Sequence, residues 1–271
     1  MINITEEEWK RIYYDEYVEQ RLSVPKLAEK YHLGSTTIHR NFKKYGLKCR
    51  SHSEKSRKYQ CDYHYFDVID CEEKAYFLGL IYSDGYITGN CFGISLKQDD
   101  VDIVEKLKKC LNSTHPIKTY TNNGYGGYEN PTVYNRLLIR SEVLVKSLID
   151  QGVRYNKSSF LLPPTLPHDL IRHFIRGFMD GDGSIYTSHG SATVSFTGTP
   201  DMLNYIGNYM IEEGIIKQFS LYPERNSDVV MSLKIGGNIQ SRNLLHHIYD
   251  NSTVYVNRKH NIFLNLIEKS S

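Results

Sequence analysis

The chain has 271 residues, 40% of them hydrophobic and 24% charged, with 33 lysines and arginines against 31 acids and a formal charge of +2. This composition excludes global disorder, and the length accommodates two domains, or one domain and a small module, around buried cores. No run approaches the ~18 apolar residues of a membrane span, and the amino terminus (Met1-Ile-Asn-Ile-Thr-Glu-Glu-Glu) is acidic where a leader would be basic, so a cytoplasmic protein is expected. Cys49, Cys61, Cys71, Cys91 and Cys110 contain no CxxC pair, which fits reduced thiols in the cytosol.

The first elements are helical. Trp9, Ile12, Tyr13 and Tyr17 form an apolar stripe over about Glu6–Gln20. Ser23 is placed to cap a second helix with Pro25 in its first turn and Leu27, Ala28 and Tyr31 on one face. His32-Leu33-Gly34 then makes a turn, and Ser35 is expected to cap a third helix with Ile38, Phe42 and Tyr45 inward. The last two helices resemble a helix-turn-helix of the resolvase or transposase type. That resemblance implies a DNA-facing surface of Ser35, Thr36, Thr37, His39, Arg40, Lys43 and Lys44.

Charge is concentrated in the same region. Residues 20–60 hold eleven lysines and arginines against two acids, Glu29 and Glu54, so the near-neutral total hides a basic block suited to phosphate contacts. Residues 48–65 read as a basic linker in which Arg50, Arg57 and Lys58 can track a DNA backbone. Cys49/His52 and Cys61/His64 have spacings that a zinc site could use, but without turn glycines or a ribbon pattern no metal is expected there. The expected domains are 1–47 (helix-turn-helix), 48–65 (linker), 66–165 and 166–271.

The last two domains are copies of one another. A-Y-F-L-G-L-I-Y-S-D-G-Y-I (75–87) aligns with H-F-I-R-G-F-M-D-G-D-G-S-I (173–185), and Gly79/Gly177, Asp84/Asp182 and Gly85/Gly183 all match at an offset of 98 residues. Strand patterns follow the first copy at Phe92–Lys97, Ile117–Thr121 and Tyr134–Arg140, with helices near Asp99–Leu111 and Glu142–Gln151. The second copy is followed by strands at Ala192–Thr197, Lys217–Tyr222 and Val229–Ile235, with helices near Pro200–Glu213, Asn238–Tyr249 and Arg258–Ile267. Each half reads helix, two strands, helix, two strands, helix.

F-L-G-L-I-Y-S-D-G and I-R-G-F-M-D-G-D-G resemble the nine-residue signature of the LAGLIDADG homing endonucleases, here in a single chain with two copies. The resemblance implies an α+β fold: two pseudo-twofold αββαββα halves, antiparallel saddle sheets over DNA, and the small all-α module in front. Physics gives the motif positions reasons. Helices approach backbone to backbone only where side chains are absent, a role open to Gly79 and Gly177. Acids at helix carboxyl ends face the negative end of the dipole, and two brought together repel; a divalent cation reverses that penalty. Asp84 and Asp182 are therefore the expected metal ligands, and the resemblance adds the carbonyls of Ser83 and Gly181. Oxygen-only ligation favours Mg2+.

The resemblance further implies a basic residue near the start of each half's last helix. Lys157 and Lys259 stand 73 and 77 residues after their acids. Gln98 is where the family often orients a water, and its counterpart near Gly198-Thr199 lacks the amide, so the two halves are unequally supplied. Tyr82 and Arg176 depart from the signature at positions that are not metal ligands. Lys97, Arg136, Arg140 and Lys234 are candidate base readers on the strands. The implied function is Mg2+-dependent, site-specific double-strand DNA cleavage by a monomer at a long asymmetric site. The alternatives are a non-catalytic DNA-binding regulator or an intron maturase on the same fold.

Overall fold

The structure, a computed structural model, describes residues 4–50, 58–122, 131–155, 161–188, 191–224 and 229–268. The chain divides into two compact units, Met1–Lys58 and Tyr59–Ser271.

In the first unit, Thr5 opens helix α1 (Glu6–Arg11) through a reciprocal capping box with Glu8, and the helix continues as a π-helical segment over Ile12–Glu19. Helix α2 (Val24–Lys30) starts at Ser23, whose hydroxyl accepts from the Lys26 N–H at 3.4 Å. Helix α3 spans Ser35–Lys44. Its cap is Gly34, not Ser35: Gly34 is the last extended residue (φ −75°, ψ 142°), and Ser35 already lies inside the helix. Trp9, Ile12, Tyr17, Leu27, Ile38 and Phe42 close a core of their own, with Trp9 and Phe42 edge to face.

Both ends of the segment expected as a linker, 48–65, have partners in the units they adjoin. Arg50 donates to the carbonyls of Arg21 and Leu22 and stacks on Tyr17 at 4.3 Å, which fastens it to the first unit. At the other end Gln60 and Thr114 exchange hydrogen bonds, the Asp62 N–H donates to the Leu111 carbonyl at 2.7 Å, and Cys61 and Tyr63 are buried in the second unit's core. Apolar side chains at 61, 63 and 66 have more to gain from that core than from solvent, whatever the basic charge around them.

The second unit contains two copies of one plan. The first is α4 (Glu72–Ser83), β1 (Gly85–Thr88), β2 (Cys91–Lys97), a 3-10 turn (Gln98–Asp100), α5 (Val101–Cys110), β3 (Ile117–Asn122), β4 (Thr132–Arg140) and α6 (Glu142–Asp150). The second is α7 (His168–Asp182), β5 (Gly183–Ser188), β6 (Ser191–Gly198), α8 (Pro200–Glu212), β7 (Leu221–Pro223), β8 (Met231–Gly236) and α9 (Asn238–Tyr249), followed by α10 (Asn257–Glu268). Both sheets are antiparallel, in the orders β1-β2-β4-β3 and β5-β6-β8-β7.

The registers also correspond. The core-facing row Gly85–Ile94–Leu137–Ile117 matches Gly183–Phe196–Leu233–Leu221. Alternation then places Phe92, Ile94 and Leu96, and likewise Val194 and Phe196, against the helices, and turns the intervening residues to the opposite face. β7 is shorter than the expected strand from Lys217. Phe219 lies against α8 at Gly207, where an added Cβ would sit 2.5 Å from its ring, so that side chain is used in packing upstream of the ladder. Among the described residues no helix is long and apolar enough to cross a membrane.

Candidate active site and nucleic-acid interface

The two motif helices α4 and α7 cross at their glycines. A Cβ on Gly79 would collide with the Phe174 carbonyl and stand 2.8 Å from the Phe178 nitrogen; one on Gly177 would collide with the Tyr76 carbonyl and stand 2.8 Å from the Leu80 nitrogen. Phe174 and Tyr76 each precede their own helix's glycine by three residues, and Phe178 and Leu80 each follow it by one. Such reciprocal contacts are what a twofold axis between the helices produces.

That crossing carries the carboxyl ends of both helices to one place. A Cβ on Gly181 would strike Ser83 Oγ and Asp84 Oδ2, so the second half's backbone passes directly against the first half's acid. Asp84 is half-buried at the end of α4, Ser83 Oγ donates to it at 3.3 Å, and Asp182, the residue after Gly181, is exposed. The group offers two carboxylates and main-chain carbonyls, all oxygen, which fits Mg2+ rather than zinc. Among the described residues no three His, Cys, Asp or Glu side chains gather as a metal cluster, so any cation here takes ligands from carbonyls and water as well.

Lys259 stands behind this place, only 3% exposed. Its Nζ donates to the carbonyls of Met179 (2.6 Å), Asp180 (2.8 Å), Gly181 (3.2 Å) and Gly183 (2.6 Å). An ammonium has three hydrogens, and four acceptors engage them all; the cation closes the negative end of α7. Burial pushes its pKa down to about 8, against the pull of Asp180 and Asp84. Lys157 lies outside the described residues.

Gln98 is exposed at the end of β2, and its Oε1 accepts from buried Asn135 at 2.8 Å. By register the counterparts of Gln98 and Asn135 are Pro200 and Met231, so the second half has no amide pair. Thr199 instead caps α8 and donates to the Leu161 carbonyl at 2.7 Å. Next to Gln98, Asp100 accepts from Arg258 Nε at 3.1 Å, which ties the first half to the start of α10.

Beneath the acids runs a buried polar network that the motif alone does not announce. Asp180 accepts from Tyr76 (2.7 Å), Tyr249 (2.6 Å) and the Val256 N–H (2.8 Å), and burial raises its pKa. Arg176, fully buried, donates to Glu72 (2.6 Å), to the carbonyls of Val254 (2.9 Å) and Ile248 (2.8 Å), and to His173 (2.9 Å). Tyr82 donates to the Gln151 carbonyl at 2.9 Å. The departures from the signature at 82 and 176 therefore have structural partners.

On the first sheet's open face, Lys97, Lys118, Arg136 and Arg140 alternate with Tyr86, Tyr120 and Tyr134. Arg136 Nε donates to Ser95 at 3.0 Å, and its guanidinium lies 4.9, 5.5 and 6.0 Å from the rings of Tyr120, Tyr134 and Tyr86. Lys118 was absent from the candidate readers; the β3–β4 register, which pairs it with Arg136, is the signal that finds it. On the second sheet Lys234 sits 5.8 Å from the Tyr222 ring.

In the first unit Ser35, Thr36, His39, Arg40, Lys43 and Lys44 are exposed on α3, and Thr37 is half-exposed. His39 Nδ1 contacts Cys49 Sγ at 3.3 Å. Arg50 is turned inward as described, Lys58 is exposed, and Arg57 and His52 lie outside the described residues. Cys61 Sγ donates to the Asp62 carbonyl at 3.6 Å and His64 pairs with Asp67 at 2.7 Å.

No family model matches the sequence, and no curated protein does. The chain is similar in structure to full-length DUF199/WhiA from Thermatoga maritima (15% identity, TM-score 0.49), covering 78% of this chain and only 65% of that one. It is also similar to the meganuclease I-SmaMI bound to uncleaveable DNA (11% identity, TM-score 0.48, covering 71% of this chain and 88% of that one). A third is the LAGLIDADG meganuclease I-AabMI bound to uncleaved DNA (15% identity, TM-score 0.46, covering 72% and 89%).

Proposed function

We propose that this chain is a site-specific DNA endonuclease of the LAGLIDADG kind, dependent on Mg2+, acting as a monomer on a long asymmetric site and cutting both strands. The observation that supports it most is the reciprocal glycine crossing, which sets Gly181 against Asp84 and so brings two acid-terminated helices together. Two carboxylates and helix-end carbonyls gathered at one place form an all-oxygen set that a divalent cation would favour. Mg2+, held by Asp84, Asp182 and the carbonyls of Ser83 and Gly181, would draw charge from the phosphate under attack.

The chain's own residues do the rest. Lys259 holds the end of α7 and so fixes Asp182 and the Gly181 carbonyl. Gln98, oriented by Asn135, is placed to position a water. Lys157 would face the phosphate, as the resemblance implies. The first unit serves as a helix-turn-helix module, with α3 in the major groove, and extends the footprint.

A DNA-binding protein without cleavage is the second reading, favoured by one observation: Lys259 addresses main-chain carbonyls and not solvent. The deciding experiment incubates the chain with a plasmid library and Mg2+, beside Asp84→Asn/Asp182→Asn. Breakage by the wild type alone supports the nuclease. Equal breakage by both, or bound but intact DNA with both, overturns it.

A further inference from the structure

We propose that the two sheets hold their half-sites by different chemistry: the first by cations on phosphates and one pre-ordered arginine on a guanine, the second by hydroxyl groups with little counterion release. This rests on the DNA-binding reading above and deepens it.

The register allows the faces to be compared position by position. Arg136 in the first sheet corresponds to Ser232 in the second, Lys118 to Tyr222, Arg140 to Gly236 and Lys97 to Thr199, while Leu138 corresponds to Lys234. The first sheet's strands therefore carry four cations and no acid, and the second's carry Lys234 alone. In place of charge the second face offers the hydroxyls of Ser184, Tyr186, Thr193, Thr197 and Tyr222, while Ser195 and Ser232 are buried, the latter donating to the Tyr222 carbonyl. Hydroxyls donate and accept, but they release no counterions.

Stability does not account for the first face. Lys118 stands directly across from Arg136, and like charges so placed are destabilising. With no acid on these strands to offset them, the arrangement is satisfied by a polyanion. Arg136 is also ordered in advance: Ser95 fixes Nε and three tyrosine rings flank the guanidinium. Among the described residues its terminal nitrogens have no hydrogen-bond acceptor, which leaves the fork that matches guanine O6 and N7.

The test uses the full chain and DNA selected by it from a randomised pool. Lys97→Gln/Lys118→Gln/Arg140→Gln is expected to lower the salt slope of binding by between about 2 and 3, at ~0.9 per lost phosphate contact. Ser184→Ala/Thr193→Val/Thr197→Val is expected to leave the slope unchanged and to blur sequence preference in one half-site only. Arg136→Lys is expected to relax preference for a single base in the other half-site. Should the triple lysine–arginine variant melt early, Lys118→Gln alone gives the same reading with a slope change of about 0.9. An unchanged slope in the cation variants, or an equal fall in the hydroxyl variant, overturns the inference and leaves DNA binding intact. A wild type that selects no DNA overturns the proposed function and this inference together.

Discussion

A single hydrogen in place of a methyl group decides whether the two halves can meet. At Gly79 and Gly177 an added Cβ meets backbone of the opposite helix, which cannot rotate aside as a side chain can. Gly79→Ala should therefore lower stability by at least the ~1–3 kcal/mol of an overpacked core, read as a fall in melting temperature, and Gly177→Ala should match it because the contacts are reciprocal. Lys259→Met removes the donor from four carbonyls at the end of α7. A loss of roughly 1–3 kcal/mol is expected, with faster hydrogen exchange in that last turn; a normal melting temperature with lost cleavage would instead assign Lys259 to the phosphate. His173 adds a pH dependence. Burial and the neighbouring Arg176 hold its pKa at about 4, below its ordinary 6.5, with Glu72 and Asp169 opposing and Arg172 adding to the depression. Between pH 4 and 6.5 the unfolded chain binds a proton that the folded one does not, so stability falls as pH drops through that window. The fall is on the order of 2–3 kcal/mol, and His173→Gln should remove most of it in urea titrations at the two ends of the window.

At the scale of elements, α7 is the more polar of the two crossing helices. Where α4 has Ala75, Leu78 and Tyr82, α7 has His173, Arg176 and Asp180. Arg176 reaches across to Glu72 at the start of α4, and Glu72 also accepts from the Thr253 N–H at 2.7 Å, so one carboxylate joins both halves. Glu72→Leu leaves a buried guanidinium without its counter-charge and should cost about 3–5 kcal/mol. Adding Arg176→Leu, which restores the first half's residue type, should recover a large part of that; additive losses in the double-mutant cycle would deny the coupling. The helix crossing was legible in the sequence because glycine, acid and spacing recur at a fixed offset, and a repeated local pattern survives without knowledge of contacts. The Arg176–Glu72 pair was not, since its partners lie 104 positions apart and no periodicity links them. Lys118 and the end of β7 were missed for a related reason: strand pairing and the seat of Phe219 on α8 are set by tertiary contacts, while sequence alternation sees one strand at a time. Gln98 and Lys259 show the limit in a third way, because the family resemblance pointed to them and only geometry revealed that one is held by Asn135 and the other by the helix it follows.

Across the whole molecule, a charge of +2 is the sum of unlike parts. Residues 20–60 are strongly basic, and beyond residue 65 acids slightly outnumber bases, yet the first sheet's strands carry only cations. Net charge thus says little about a chain whose acids and bases occupy different surfaces. The two units have separate hydrophobic clusters with no shared residue, and the second unit's core includes Tyr63 and Phe66 but nothing before Cys61. A chain of residues 59–271 should therefore fold with its own cooperative transition. If the first unit adds phosphate contacts by tethering, removing it should weaken DNA binding severalfold or more and flatten the salt dependence, while single-turnover cleavage at saturating protein stays near the full-length rate. A fragment that folds and binds but cannot cut at any concentration would mean that the first unit contributes to the chemistry itself, and one whose salt slope equals that of the full chain would mean that the basic block is not a DNA contact.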